Sequence, residues 1–399
     1  MEGAYIVDIV RTPIGKFGGM LSNVRPDDLA TMVIIALLQR NPNLVKATVE
    51  EVIWGAANQA GEDNRNVARM ASLMAGLPIE TAGVTVNRLC ASGLQAIIDA
   101  SRALRLEEGD AFIAGGSESM TRAPFVMAKA ETAYSRKMET YDTTIGWRFP
   151  NPKLTEMYHP YSMGETAENV ARKYKISREE QDEFAFNSQK KYKIAHETGK
   201  FADEIIPVCV PQEKGQTVVF EKDEHPRFAP LEKLAALKPA FIQNGTVTAA
   251  NSSGVNDGAA AALMVNEKVL NQQGLKPKVK IVSVALAGVD PDCMGMGPVP
   301  ATKKALRRAG LTINDIGLIE LNEAFASQSI ACINELGLDP EIVNVSGGSI
   351  ALGHPLGASG ARISATLIHE MLKRKDVKYG LATMCVGVGQ GAAVIYEKG

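Results

Sequence analysis

Cys90 has sequence neighbours that favour a reactive thiol. It lies in TVNRLCASGLQAI, between an apolar, strand-like piece and a helix that Ala91, Ser92 and Gly93 open. Unpaired amide groups and the dipole at the start of a helix favour negative charge, which lowers the pKa of a thiol placed there. We therefore predict an exposed, low-pKa nucleophile. The alternative is a core cysteine that packs a strand–helix corner.

His354 is the histidine with the most informative surroundings. It lies between Gly353 and Pro355 in GGSIALGHPLGASGARI at 347–363, just before a second helix that contains the letters ASG. It therefore occupies the counterpart of the Cys90 position. Two helix N-termini that face each other would bring an imidazole to a thiol, and such a base activates a cysteine. The alternative is a loop histidine that caps a helix.

Cys385 lies in LATMCVGVGQGAAV, where an apolar strand runs into glycines that include Gly387. Glycines let the backbone approach a small ligand closely, with free N–H groups pointing at it. The run formally matches a GxGxxA dinucleotide signature. The sequence that follows, AAVIYEKG, leaves no room for the helix and acidic residue of that signature, so we exclude it.

Asn322, in LNEAFAS, follows the strand candidate GLIEL. Sites in α/β proteins form at the carboxyl ends of strands. The amide could hold a water or donate to a developing oxyanion. It could instead cap the helix EAFASQSIACINEL, or do both.

Short β-type runs alternate with helix-type runs, which indicates an α/β fold. Helix candidates follow Cys90 and Gly357. The strand candidates are AYIVDIV, EVIWGA (51–56), AFIAGG (111–116), KIVSVALAG (280–288), GLIEL (317–321), GLATMCVGV (380–388) and AAVIY (392–396).

The two halves of the chain repeat one order of elements. Ile53 and Ile319 lie 266 positions apart, and the ASG at 91–93 and the ASG at 358–360 lie 267 apart. In each half a strand precedes an ASG-led helix, and a further strand follows. This order indicates an internal duplication.

Residues 122–248 have a different, more polar composition. The stretch at 171–200 predicts an amphipathic helix, and GWRFPNP at 146–152 predicts a structured loop because prolines interrupt it. We predict an N-terminal half of residues 1–121 plus 249–274, an inserted loop domain of residues 122–248, and a C-terminal half of residues 275–399.

Composition excludes several functional classes. With 45% hydrophobic and 22% charged residues and a net charge of −2, no global field attracts nucleic acid or an anionic membrane. No apolar stretch is long enough to span a bilayer, and neither end carries a targeting signal, so we expect a cytoplasmic protein. The five cysteines include no CxxC pair, which argues against a disulfide framework or a zinc site.

Four segments together resemble the motifs of the thiolase family: NRLCASGLQA, NEAFA, GGSIALGHPLGASGAR and CVGVGQG, in the family's order. The likeness runs from VRTPIGKFGG at 10–19 to the C-terminus. It implies a duplicated thiolase fold, an α/β protein in which two βαβαβαββ halves form a five-layer α/β/α/β/α sandwich with an inserted loop domain. It also implies acyl transfer between a cysteine and CoA, which cleaves 3-oxoacyl-CoA to acetyl-CoA and a shortened acyl-CoA, or the reverse Claisen condensation. The expected partners are CoA and acyl-CoA substrates in a homodimer or homotetramer, with no metal or redox cofactor.

At matching positions the resemblance implies residue roles. Cys90 would be the acyl-accepting nucleophile, His354 its activator and Cys385 the general acid/base. Asn322, through a bound water, would form one oxyanion hole with His354. The N–H groups of Cys90 and Gly387 would form the other. By pattern alone Ser253 is a turn serine, yet it matches the CoA channel, whose lining would comprise Met163, Arg227, Phe241, Ala249, Ser253, Ala324 and Phe325.

Some segments depart from the short-chain biosynthetic pattern. The chain has Ser162-Met163-Gly164 where those thiolases usually have HMG, and its segments at 60–70 and 141–149 are similar to degradative, 3-oxoadipyl-CoA-type bacterial thiolases. A short-chain acetoacetyl-CoA thiolase (an acetyl-CoA acetyltransferase) remains the alternative. Decarboxylating 3-oxoacyl synthases are disfavoured, because they pair their cysteine with two histidines and this chain has Cys385. A non-catalytic acyl-CoA-binding protein is also disfavoured, because binding needs none of the four motif residues.

Overall fold

A computed structural model describes residues 3–212 and 215–399. The strands are β1 (Tyr5–Arg11), β2 (Gly15–Lys16), β3 (Val49–Gly55), β4 (Ala82–Val86), β5 (Ala111–Ser119), β6 (Phe125–Met127), β7 (Thr140–Asp142), β8 (Val208–Pro211), β9 (Thr217–Phe220), β10 (Asn256–Val265), β11 (Val279–Gly288), β12 (Ile316–Leu321), β13 (Tyr379–Val386) and β14 (Gln390–Lys398). The helices are α1 (Pro26–Arg40), α2 (Val67–Met74), α3 (Ser92–Arg105), α4 (Pro152–Met157), α5 (Met163–Tyr174), α6 (Arg178–Glu197), α7 (Leu231–Ala235), α8 (Glu267–Gln273), α9 (Pro298–Ala309), α10 (Ala326–Leu336), α11 (Ser349–Leu352) and α12 (Leu356–Lys373).

The long strands form one mixed sheet in the order β12-β13-β14-β11-β1-β10-β5-β3-β4, and β2 pairs with β10. The halves meet where β1 pairs with β11 over only two residue pairs. Outward from this junction both halves show two antiparallel pairings and then a parallel one: β1–β10, β10–β5 and β5–β3 on one side, β11–β14, β14–β13 and β13–β12 on the other. The matching order confirms the duplication.

The protein has five layers, which pack around three hydrophobic cores. The outer helices α1 and α2 cover one half of the sheet, and α9 and α10 cover the other half. Between the halves lie α3 and α12, whose apolar faces share one core with strands of both halves. This is the predicted α/β/α/β/α arrangement, and each layer exists because its helix or strand has an apolar face to bury.

The two central helices cross at the repeated ASG letters. A Cβ atom at Gly93 would lie 2.7 Å from the carbonyl oxygen of Gly357, and a Cβ at Gly360 would overlap the backbone of Leu94. Glycine is therefore required where the two backbones approach. The same contact brings the start of α12 beside the turn Leu89–Ala91, which precedes α3.

Sequence patterns missed strand β10, although it lies inside the sheet between β1 and β5 of the N-terminal half. Its residues are NDGAAAALMV and all ten are buried. Alanine has a high helix propensity, and a strand covered on both faces shows no alternation of polar and apolar residues. The tertiary environment overrides the local preference here.

The segment 122–248 contains the hairpins β6–β7 and β8–β9 and the helices α4 to α7. The single amphipathic helix predicted over 171–200 is wrong. Two helices occupy this region, because Lys175 adopts a left-handed conformation (φ 56°) that ends α5. Ser177 and Glu180 then form a capping box that starts α6. The GWRFPNP loop prediction is confirmed as far as Asn151, since α4 begins only at Pro152.

The helix that follows Asn322 begins at Ala326, and Phe325 occupies its N-cap position. The alternative in which Asn322 caps this helix is therefore wrong. No helix in the described parts of the chain is both long and apolar enough to cross a membrane.

Replacing Arg11 with methionine is expected to destabilise the fold by about 3–5 kcal/mol, because it leaves two buried carboxylates without a counter-charge. Arg11 is fully buried, with its Nε 2.6 Å from Glu204 and its Nη1 2.7 Å from Asp223. Urea unfolding followed by circular dichroism measures the change. As a control, Lys193→Met removes an exposed helical pair with Glu197 (3.9 Å) and an exposed contact with the ring of Phe228 (5.2 Å), and it should alter stability by less than about 1 kcal/mol. Equal midpoints for the two variants would contradict the assignment.

Candidate active site

Cys90 lies in the turn Leu89–Ala91, directly before α3, as predicted. The turn is held by Ser92, whose hydroxyl accepts the N–H of Arg88 (2.9 Å) and donates to the carbonyl of Leu89 (2.6 Å). Leu89 has a φ of 47°, a left-handed conformation that is unfavourable for a branched side chain. Strain of this kind is found at functional sites, where surrounding contacts enforce it.

The thiol of Cys90 is half-buried and not exposed. Burial raises its pKa to about 11, and the negative charge of Glu118 also raises it. Hydrogen bonds from the N–H of Gly387 and from the N–H of Cys90 itself lower the pKa, but they do not offset desolvation. The prediction of an exposed low-pKa thiolate is therefore wrong: Cys90 is half-buried, and its raised pKa favours the neutral thiol at neutral pH.

Gly387 follows β13 and brings its N–H to the sulfur of Cys90, as its lowering of the Cys90 pKa shows. Val388 comes next with a φ of 62°, a conformation that β-branched residues rarely adopt. Both segments that border the thiol thus contain a bulky residue in the left-handed region. The strained turns place the backbone N–H groups of Gly387 and Cys90 where they lower the pKa of one thiol.

His354 lies between α11 and α12, with its backbone N–H donating to the side-chain oxygen of Asn256 (2.9 Å). Its ring Nδ1 lies 2.6 Å from the hydroxyl oxygen of Ser359. That hydroxyl donates to the carbonyl of Pro355 (2.8 Å), so the serine oxygen must accept the proton of Nδ1. The hydrogen-bond network therefore assigns the tautomer with a free lone pair on Nε2.

Burial lowers the pKa of His354 to about 3, and the positive charge of Arg362 lowers it as well. The imidazole is consequently neutral above about pH 4. A neutral ring with a lone pair on Nε2 can accept a proton from a thiol. No hydrogen bond among the described residues joins it to either thiol, but Leu356, two positions later, lines the cavity that also contains Cys90.

Asn322 is completely buried at the end of β12, with its Nδ2 3.5 Å from Nε2 of His354. Its Oδ1 accepts a hydrogen bond from Ser349 (2.6 Å), and Ser349 accepts one from Arg362 (2.7 Å). Because Oδ1 is occupied, the amide is held with its N–H groups toward the imidazole. The Nδ2 atom of Asn322 and the Nε2 atom of His354 therefore lie side by side, where one ligand atom could contact both.

Cys385 is buried near the end of β13 in a small apolar cluster with Met163, Ala324 and Phe325. Burial raises the pKa of Cys385 well above its ordinary value, and negative charge on Cys90 raises it further. The two thiols are therefore close enough for charge on Cys90 to affect the ionisation of Cys385. A buried thiol of high pKa carries its proton at neutral pH.

The positions matched to a CoA channel fall into two groups. Met163, Ala324 and Phe325 pack beside Cys385, Phe241 packs its ring 6.1 Å from that of Phe325, and the N–H of Ser253 donates to the carbonyl of Ala324 (2.9 Å). Arg227 and Ala249 instead line a second cavity of about 250 Å³ that shares no lining residue with the Cys90 cavity.

Comparison with known proteins identifies the family. The family models described as "Thiolase, N-terminal domain" and "Thiolase, C-terminal domain" match residues 4–268 and 275–398. The chain belongs to the thiolase family. It is 55% identical to the 3-oxoadipyl-CoA/3-oxo-5,6-dehydrosuberyl-CoA thiolase of Escherichia coli over 100% of both chains, and 55% identical to the beta-ketoadipyl-CoA thiolase of Pseudomonas aeruginosa over 99% of this chain and 98% of the relative. The crystal structure of human mitochondrial 3-ketoacyl-CoA thiolase in complex with CoA superposes with a TM-score of 0.92 at 41% identity, covering 100% of this chain and 98% of that chain.

This thiolase is thus an acyltransferase that cleaves 3-oxoacyl-CoA thioesters with CoA, as the motifs predicted. Within residues 3–212 and 215–399, no three His, Cys, Asp or Glu side chains are grouped so that they could hold a metal ion.

Sequence reasoning missed Glu118 in this thiolase. It is buried at the carboxyl end of β5 and lines the Cys90 cavity. Its carboxylate accepts N–H groups from Ala57 (2.9 Å), Asn58 (3.1 Å) and Gly357 (2.8 Å). Burial raises the pKa of Glu118 to about 7. The signal available in the sequence was an acidic residue inside a buried strand, AFIAGGSES.

Alkylation of Cys90 by iodoacetamide is expected to speed up about tenfold for each pH unit from about pH 7 to pH 10, because only the thiolate reacts. The raised pKa of about 11 places the whole range below the midpoint of ionisation. The experiment uses a Cys209→Ser background, since Cys209 is exposed and would compete for reagent. Peptide mass spectrometry follows the label. A rate that is already constant above about pH 7 would instead establish a low-pKa thiolate.

Proposed function

We propose that Cys90 carries the acyl group in this thiolase, with His354 as its base, Cys385 as the acid/base at the α-carbon, and acyl chains ending in a carboxylate as the preferred substrates. The observation that carries the proposal is the arrangement around one sulfur atom. The thiol of Cys90 lines a cavity, the backbone N–H groups of Gly387 and Cys90 lower its pKa, and charge on it raises the pKa of the second thiol, Cys385.

In the first half of the reaction, the proton of Cys90 passes to Nε2 of His354 and the sulfur attacks the 3-oxo carbon. The bond between the α-carbon and the 3-oxo carbon then breaks, which leaves the acyl group on Cys90 and an enolate of acetyl-CoA. Cys385 donates its proton to the α-carbon. The neutral tautomer of His354 supports this step, because its lone pair faces away from Ser359.

In the second half, the thiol of a new CoA gives its proton to the Cys385 thiolate and its sulfur attacks the acyl group. The released Cys90 recovers its proton from His354. Acylation helps Cys385 to donate: an acylated Cys90 carries no charge, so it no longer raises the pKa of Cys385, and the thiolate that donation leaves is less disfavoured. The same group then acts as the base when the thiol of the new CoA enters.

Two sets of donors would stabilise the negative oxygens. The N–H groups of Cys90 and Gly387 already point at the sulfur, so they lie close to the oxygen of an acyl group formed there. Asn322 and His354 would hold the enolate oxygen of acetyl-CoA, the asparagine through a water. Pre-oriented donors in a site shielded from water contribute several kcal/mol to transition-state stabilisation. The proposed steps use neither a metal nor a redox cofactor.

The CoA moiety would lie along the residues matched to the channel. Met163, Phe241 and Phe325 offer an apolar wall beside Cys385, with Ser253 and Ala324 next to it. Arg227 and Ala249, which line the second cavity, would contact the part of CoA that lies farthest from its thiol. An arginine is suited to binding phosphate groups there.

The preference for a terminal carboxylate rests on the relatives and on the segments at 60–70 and 141–149. Relatives that match the chain at 55% over its length are named for 3-oxoadipyl-CoA or beta-ketoadipyl-CoA. The segment 141–149 contributes residues 143–148 to the wall of the Cys90 cavity. An acetyl-CoA acetyltransferase at 46% identity supports the short-chain alternative less strongly.

The test is a series of kcat/KM values for thiolysis of 3-oxoacyl-CoA substrates. We expect 3-oxoadipyl-CoA to be cleaved at least about tenfold faster than 3-oxohexanoyl-CoA, which has the same length but ends in a methyl group. Acetoacetyl-CoA should be poorer still. Highest activity with acetoacetyl-CoA would establish the short-chain alternative, and no CoA-dependent cleavage of any of the three would establish a binding protein.

We also propose a cytoplasmic homodimer or homotetramer. The edge strand β4 has no partner on one side in the described chain, and near it Ile79 (75%), Met74 (47%) and Val84 (38%) are exposed. An unpaired edge with apolar neighbours is typical of a subunit interface. Light scattering coupled to size-exclusion chromatography measures the assembly, and a monomer would contradict the proposal.

A further inference from the structure

Arg148 shares a cavity with the nucleophile. The cavity has a volume of about 270 Å³ and is lined by Cys90 and Gly387 at one side and by residues 143–148 at another. Its remaining walls are largely apolar, including Met120, Ala123 and Ile145. Arg148 is the cationic side chain among the lining residues. A single guanidinium in a mostly apolar pocket is a polar group of the kind that orients a ligand.

The guanidinium of Arg148 has no carboxylate partner among the described residues. It donates one long hydrogen bond, 3.4 Å from Nη1 to the carbonyl oxygen of Thr143. Arg122, at the start of the same segment, differs: Glu62 binds it through two contacts of 2.5 and 2.6 Å. Arg148 therefore keeps most of its N–H groups available for an anion.

The loop that leads to Arg148 is held at two points. Asn58, which follows β3, donates to the hydroxyl (2.9 Å) and to the carbonyl (3.3 Å) of Thr143. The indole N–H of Trp147 donates to the carbonyl of Tyr161 (3.0 Å). An arginine on an anchored loop loses little freedom when it binds, which favours specific recognition.

The acidic residue of the same cavity does not neutralise Arg148. The carboxylate of Glu118 is engaged by the backbone N–H groups of Ala57, Asn58 and Gly357. No ion pair joins Glu118 to Arg148 in the part of the chain that the structure describes. The cavity therefore offers an uncompensated cation to a ligand that enters beside Cys90.

We propose that Arg148 binds the distal carboxylate of the acyl chain and so makes this thiolase selective for 3-oxoacyl-CoA substrates that end in a carboxylate. The inference rests on the proposed function, in which the 3-oxo carbon is held at Cys90. In 3-oxoadipyl-CoA two methylene groups separate that carbon from the carboxylate, and Cys90 and Arg148 line the same cavity. The guanidinium binds a carboxylate through two parallel N–H···O contacts.

The test compares Arg148→Met and Arg148→Lys with the wild type on two substrates of equal length, 3-oxoadipyl-CoA and 3-oxohexanoyl-CoA. For the methionine variant, kcat/KM with 3-oxoadipyl-CoA should fall roughly 30- to 100-fold, which corresponds to loss of a charge-assisted hydrogen bond. Its activity with 3-oxohexanoyl-CoA should change less than about threefold, which also shows that the variant folds. Lysine keeps the charge without the paired geometry and should give an intermediate value.

Arg136→Met is the matched control, because Arg136 is an exposed arginine of the same inserted segment and lies outside the cavity lining. It should behave as the wild type. An Arg148→Met variant that still prefers 3-oxoadipyl-CoA would overturn the inference while leaving the proposed function intact. An equal loss on both substrates, or a raised KM for CoA, would also overturn it by assigning Arg148 to CoA. A wild type without any preference between the substrates would overturn the carboxylate part of the proposed function itself.

Discussion

Replacing Cys90 with serine is expected to lower kcat for thiolysis by about 10⁴-fold or more. A hydroxyl is a far poorer nucleophile than a thiol, and His354, whose pKa is lowered to about 3, is too weak a base to compensate. The two N–H groups that point at the sulfur would remain in place. The variant should therefore still bind acyl-CoA, and isothermal titration calorimetry measures that binding.

A second readout locates the covalent intermediate. Incubation of wild-type protein with acetyl-CoA, followed by acid quench and digestion, should add one acetyl group to the peptide that contains Cys90. The same treatment should leave the serine variant unmodified. Cys209→Ser is the control, since Cys209 is exposed and lies outside the cavity, and it should retain full activity. Acetylation of Cys385 instead of Cys90 would reverse the two assignments.

Replacing Cys385 with serine is expected to separate the two halves of the reaction. Acetyl transfer to Cys90 should persist, whereas exchange of the acetyl-CoA α-protons with deuterated solvent should fall by about 10²- to 10⁴-fold, the usual contribution of a general acid/base. Proton NMR of acetyl-CoA in D₂O follows the exchange. The effect arises because Cys385 is a buried thiol whose pKa responds to the charge on Cys90, and an alcohol titrates too high for this role.

Cys293→Ser is a suitable control for the second experiment. Cys293 is a buried thiol too, but it packs in the core between the sheet and the outer helices of the C-terminal half. Its replacement should lower stability slightly and leave exchange unchanged. Exchange at the wild-type rate in the Cys385 variant would remove Cys385 from the mechanism and direct attention to His354 as the base at the α-carbon.

Much of the fold was readable from local patterns. Strands with apolar residues bounded by glycine, and the ASG-led helices, gave the duplicated order that the sheet then showed. Strand β10 was not readable, because its alanines favour a helix and its burial on both faces removes the alternation that marks a strand. The capping box of Ser177 and Glu180 could have predicted the break between α5 and α6. The many charged residues on both sides of it form one continuous helix-like pattern, which hid the break.

The candidate site, too, could be predicted from the sequence only in part. Sequence context placed Cys90 and His354 at the starts of two helices, and both lie there. Context could not show that Glu118 joins the loop after β3 to the start of α12, because its partners Ala57 and Asn58 lie far along the chain from its third partner, Gly357. Nor could it show that Arg148 has no carboxylate partner.

The sequence by itself determined which chemical groups this thiolase has and the elements that carry them: two thiols, an imidazole and an amide, each at the end of a strand or the start of a helix. Tertiary structure alone decided their ionisation. Burial makes Cys90 a neutral thiol and His354 a neutral base, and the contact of Ser359 with Pro355 selects the ring nitrogen that holds the proton. The reason is that residue type and helix position are local properties, whereas desolvation and hydrogen-bond partners depend on every segment that packs around a group.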